Sequence, residues 1–179
     1  MCWACEHPQA TLQDYLGNLR AIITRRGWAV QAIGRDRLYP PWAYTTGLTL
    51  RGLPELVVTG MPGARAASLL NEIAAHAVHA GMPEPGTRVE LVGGPRIEFV
   101  RVDLPAVHLV MAAELYGSTI RALQVVHADD RGHWPWEPAY RGVQGGQPIL
   151  GRRTSAARTA RAVTTPNETP VKEGGIDDV

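Results

Sequence analysis

Lysine is almost missing from this chain: of 18 basic residues only Lys172 is a lysine. Phenylalanine occurs once and cysteine twice. Acidic residues nearly balance the arginines, so the formal net charge is +1. A near-neutral chain has no general field to draw in nucleic acid or an anionic membrane, so sequence-specific DNA binding is not expected. No run approaches the roughly 18–20 continuous apolar residues of a membrane helix. No basic stretch followed by an apolar one opens the chain, so no secretory leader is expected. The expectation is a cytoplasmic protein whose two cysteines stay reduced. Both Gly-rich phosphate loops, G-x-x-x-x-G-K-[ST] and G-x-G-x-x-G, are absent, as is the G-x-S-x-G nucleophile elbow. No segment repeats.

What is present suffices for a core. The chain has 179 residues, 45% of them hydrophobic, and tryptophan supplies five of the eleven aromatics. Composition divides the chain at Gly151. Residues 152–179 hold no Phe, Trp or Tyr. Such a segment buries too little apolar area to offset its ordering entropy. The expectation is one domain over 1–151 and a disordered tail over 152–179. The tail's charge is sorted, with Arg152, Arg153, Arg158 and Arg161 ahead of Glu168, Glu173, Asp177 and Asp178. An arm of that kind could dock on an acidic protein or a ribonucleoprotein.

Periodicity orders the body. Thr11 and Asp14 form a capping pair ahead of an apolar helical face from Leu12 to Ile23, and Gly27 stops it. Strands are expected at Trp28–Ile33, Ala43–Leu48 and Leu56–Thr59. A helix is expected from Pro62 to Gly81. Arg88–Val92 and Arg96–Val102 form a hairpin around Gly93-Gly94-Pro95. A helix at Val107–Tyr116 and a strand at Ile120–His127 follow, then a loop from Asp129 to Gly146. Strands and helices mix without strict alternation. The expected class is α+β, a mixed or antiparallel sheet with about three helices.

Three places could carry chemistry. In MCWACEHP, Cys2, Cys5 and His7 lie close enough for two thiolates and an imidazole to share a metal, and zinc suits that donor set. A fourth ligand would come from elsewhere or from water. A redox dithiol and plain packing are the alternatives. On the 62–80 helix, Glu72, His76 and His79 share one stripe beside the apolar face. Such a stripe is ordinarily a polar flank. Last, Tyr44, Thr45 and Glu55 near two strand ends could form a ligand cleft with Asp130, Trp134 and Trp136. Two indoles flanking Pro135 make a good pocket wall, although large aromatics also simply anchor loops.

The segments MCWACEHP, RGWAVQ, PPWAYTTGL, LPELVVTG, ELYGSTIRALQVVHADDRGHWPW and GGQPILG run in order over about residues 1–151. Together they resemble an actinobacterial family of unknown function, the domain-of-unknown-function family 4262. The shared pattern takes in Cys2 and Cys5, Gly27 and Trp28, Tyr44 to Leu48, Pro54 and Glu55, and Trp134 to Trp136. His127 stands where the pattern would have Trp. The resemblance implies that the N-terminal cysteines belong to the domain. It brings no established activity and so transfers no catalytic residue. Three functions compete: a metal- or small-ligand-binding domain, an interaction module using the Arg-bearing tail, and a cofactor-dependent enzyme, for instance a flavin enzyme. The first is preferred.

Overall fold

A computed structural model describes residues 7–37, 39–142 and 146–154, and the backbone of 158–159. Helix α1 spans Leu12–Arg26. Its start is a reciprocal capping box. The Thr11 N–H donates to Asp14 Oδ2 at 2.8 Å, and the Asp14 N–H donates to Thr11 Oγ1 at 3.2 Å. The Thr11 hydroxyl also donates to Asp14 Oδ2 at 2.7 Å, and this bond, with the one from the Thr11 N–H, holds the Asp14 carboxyl below its usual range. Gly27, with φ at 90°, turns the chain out of the helix in a left-handed conformation that other residues resist.

Strands β1 (Ala29–Ile33), β2 (Trp42–Thr46) and β3 (Glu55–Thr59) form an antiparallel meander. Helix α2 (Gly63–Ala80) follows β3, then the hairpin of β4 (Thr87–Glu90) and β5 (Arg96–Arg101). Strand β6 (Ala122–His127) enters between β3 and β5, parallel to the first and antiparallel to the second. The order is β1-β2-β3-β6-β5-β4. A two-residue strand, β7 (Arg158–Thr159), runs parallel to the outer edge of β4. The class is α+β with a mixed sheet, as the element pattern indicates.

Alternation along the strands sorts the core into two faces. Leu56, Val58, Phe99 and Val125 point toward α2, where Leu69, Leu70 and Ile73 cover them. Tyr44, Val57 and Ala122 point the other way, toward Leu109 and Ala112. Full burial of a side chain such as Leu70 or Phe99 contributes about 1.5–3 kcal/mol.

The helix expected at Val107–Tyr116 is two helices, α3 (Pro105–His108) and α4 (Val110–Tyr116). Leu109 separates them with φ −112° and ψ 61°. Its side chain is fully buried among Tyr44, Val102 and Ile120. A continuous helix would carry that side chain past this position; leaving the helix for one residue drops it into the core. Strand β2 likewise ends at Thr46, and Leu48 opens a single 3-10 turn, Leu48–Arg51. Among the described residues no helix is long and apolar enough to cross a membrane.

Residues 146–151 return along the sheet and are tied to it by buried amides. The Gln124 Nε2 group donates to Thr59 Oγ1 at 2.9 Å and to the Pro148 carbonyl at 2.7 Å. Its Oε1 accepts from the Leu150 N–H at 2.7 Å. Gln147 caps the exit of β6, accepting from the His127 N–H and donating to the His127 carbonyl, both at 2.9 Å. Gly151 then passes so close to Arg101 that any Cβ would overlap the Arg101 carbonyl oxygen.

Candidate functional site

Among the described residues, a groove of about 790 Å³ lies between α1, the β1–β2 edge and the α3–α4 junction. Its lining is mostly apolar: Leu12, Leu19 and Ile22 from α1, Ile33 and Trp42 from the sheet, Val110 and Met111 from α4. The size falls within the roughly 300–1,000 Å³ of small-ligand sites. The groove's polar lining residues are Tyr15, Asn18, Gln31, Tyr44 and His108. The Tyr15 hydroxyl donates to Gln31 Oε1 across the α1–β1 seam. The Tyr44 hydroxyl accepts the Met111 N–H at 3.2 Å. Burial pushes Tyr44 up to about 12, against the opposing pull of that N–H. The phenol therefore keeps its proton and acts as a hydrogen-bond donor at any physiological pH.

The other cleft residues singled out from sequence do not line this groove and fall into separate places: Thr45 with Glu55, Trp134 with Trp136, and Asp130. Thr45 and Glu55, both fully buried, form a polar knot. Glu55 Oε2 accepts the Thr45 hydroxyl at 2.7 Å. Glu55 Oε1 accepts the Gly47 N–H at 2.9 Å, the Thr49 N–H at 2.9 Å and the Thr49 hydroxyl at 2.8 Å. All four donors are neutral, and among the described residues Glu55 makes no ion pair. The knot locks the 3-10 turn onto β3, which accounts for the Tyr-Thr-x-Gly-Leu and Pro-Glu segments in structural terms.

Trp134 and Trp136 stack face to face, with ring centres 5.2 Å apart and planes 5° from parallel. Arginines cover them. The Arg88 guanidinium lies 4.8 Å from the Trp134 ring centre, and Arg153 lies 3.5 Å from that of Trp136. Beneath them sits Glu98, fully buried on β5. Glu98 Oε2 accepts Arg88 Nε at 2.7 Å, a cross-strand pair. Glu98 Oε1 accepts Arg153 Nε at 2.9 Å, and Oε2 accepts Arg153 Nη2 at 3.2 Å. Arg153, assigned to the tail by composition, thus contacts the body through a fork of two hydrogen bonds and a ring face.

Asp130 is exposed beside a polar crevice at the carboxyl ends of the parallel pair β3 and β6. Arg65, His127 and Tyr140 line it. Burial lowers the His127 pKa below its usual value, so the ring is neutral at physiological pH. Burial opposes ionisation of neighbouring Asp129, but the N–H groups of Arg141, His133 and Arg131 outweigh it and hold the carboxyl at about 2.

The expected metal cluster cannot be placed as a set, because Cys2 and Cys5 lie outside the described residues; His7 is exposed. Among the described residues no three His, Cys, Asp or Glu side chains gather where they could hold a metal. Glu72, His76 and His79 are exposed along α2. Sequence inspection missed the α1 wall of the groove, Gln124, Gln147 and Glu98. For Gln124 and Glu98 the available signal was a polar residue inside an apolar strand, since such a group needs a partner once buried.

The family model described as a domain of unknown function (DUF4262) matches residues 22–141, about two thirds of the chain. The chain belongs to the DUF4262 family. Within the matched span this DUF4262 domain has β1 to β6, the Glu55 knot, and the Trp134–Trp136 stack. The Arg153 contact and the N-terminal cysteines lie outside that span. No curated protein and no solved structure matches the chain.

Proposed function

We propose that this DUF4262 domain binds a small, largely apolar molecule in the groove between α1 and α4. The observation that carries this is the groove itself: about 790 Å³, mostly apolar walls, and the Tyr44 hydroxyl in its lining, which accepts the Met111 N–H and still carries its own proton. Such a lining gains affinity from apolar burial and orientation from one hydrogen bond. The ligand would carry an acceptor facing Tyr44. Anilinonaphthalene sulfonate, an apolar body with an anionic acceptor, is a suitable probe. It should bind the folded protein saturably and quench Trp42, which lines the groove. Ile33→Trp, which fills the floor, should remove that binding, and Tyr44→Phe should weaken it. Unchanged binding by the Ile33→Trp variant would place the probe elsewhere and retire the groove.

A metal at Cys2, Cys5 and His7 is a second reading, supported by the spacing of two thiolates and an imidazole. About one zinc per chain in the parent, and none after Cys2→Ala with Cys5→Ala, is the expected elemental analysis. Equal zinc content in both would end that reading. A cytoplasmic location with an acidic protein or ribonucleoprotein partner for residues 152–179 is part of the same proposal. Its test is salt-sensitive capture that disappears when those residues are deleted.

A further inference from the structure

The body carries a seat shaped for one kind of side chain. Glu98 offers both carboxylate oxygens from a fully buried position. Trp136 offers a ring face beside them. Arg153 fits both, with Nε and Nη2 on the carboxylate and the guanidinium carbon over the ring, 3.5 Å from its centre. Only a planar, forked cation can make the two hydrogen bonds and the stack at once; a lysine ammonium lacks the second donor plane. Arg88 bonds the Oε2 oxygen of the same carboxylate, so Glu98 stays partly neutralised when Arg153 leaves. Further along the sequence, Arg158–Thr159 pairs in parallel with Thr87 and Arg88 on the outer edge of β4.

We propose that Glu98 and Trp136 form an arginine-recognition site, filled in cis by Arg153, and that an arginine-bearing extended peptide exchanges with this segment by pairing along β4. The cis contact is suited to exchange. It rests on one side chain, about a third of which is exposed, and on a two-residue strand. Segments held by so few contacts open at low free energy. The tethered arginine competes at a local concentration in the millimolar range, so the filled state suppresses binding in trans without abolishing it. Main-chain pairing would then give affinity, and the arginine seat specificity.

The test uses the full chain and the peptide GRRTSAARTA, which copies residues 151–160. In the Arg153→Ala protein the seat is empty. Titrating the peptide should change tryptophan emission saturably, while the parent should need about tenfold more peptide or above. The same peptide bearing R153K should bind the vacated protein at least about tenfold more weakly. Arg153→Gln provides a second vacated protein should the alanine variant fold poorly, and Trp136→Ala should remove the response. Equal binding by parent and vacated proteins, no binding by either vacated protein, or equal binding of the R153K peptide would each overturn the proposal. The first result would mean a different surface, the second a purely structural clasp, and the third mere charge attraction.

Discussion

Two glutamates in this domain are fully buried, and they are satisfied in opposite ways. Glu55 is enclosed by neutral donors that all come from residues 45 to 49. Glu98 is met by two arginines, one across the hairpin and one 55 residues along the chain. The first arrangement is local and closed: its donors are mostly backbone groups and short hydroxyl side chains that cannot leave without unfolding the turn. The second is assembled from long side chains that reach in from the surface and are about a third exposed. Burial of a carboxylate therefore says little about its role. The identity and tether of the donors separate a structural pin from a site that can open.

That contrast can be broken. Glu55→Ala orphans two backbone N–H groups and two hydroxyls together, and should lower stability by about 3–5 kcal/mol in urea unfolding. Gly151→Ala should come next, at about 1–3 kcal/mol, because a methyl group collides with the Arg101 carbonyl. It should also displace Arg153 and alter the tryptophan circular dichroism of the stacked pair. Arg153→Ala should remove only about 1 kcal/mol, since its ion pair is partly solvated, and that loss should shrink in high salt. Glu55→Ala should show no such salt dependence. An effect of Arg153→Ala as large as that of Glu55→Ala would erase the distinction.

The smallest expected effect is acidic. Asp129 titrates at about 2 in the fold against 3.8 ordinarily. Its depressed pKa adds stability that is fully present above pH 3.8 and is lost as pH falls toward 2. The turn leading into Trp134 should therefore hold through pH 4 and loosen below it, as read by near-ultraviolet circular dichroism. Asp129→Asn should remove that pH step and leave the Glu55 knot unaffected.

Much of the scaffold was legible. The Thr11–Asp14 cap, the Gly27 stop, the 62–80 helix and the hairpin around Gly93-Gly94 all depend on residues within a few positions of one another. Tyr44, near a strand end, lines the groove. Its companions were not legible. Thr45 and Glu55 bond to each other, and the tryptophans face arginines. The break at Leu109 was also hidden, because Val107–Tyr116 has helical composition throughout and only a vacancy in the core draws Leu109 out of line.

The sequence by itself determined the α+β class, most helix and strand positions, and a chain with little net charge, since periodicity, caps and turn residues act over short range. Only the tertiary structure decided that β6 enters between β3 and β5, that Gln124 and Gln147 tie residues 146–151 to the sheet, and that Arg153 rests on Glu98. Those are pairings between distant residues. A buried polar group must find a partner, but composition does not say which one, and only the folded geometry brings the matching donor within 3 Å of it.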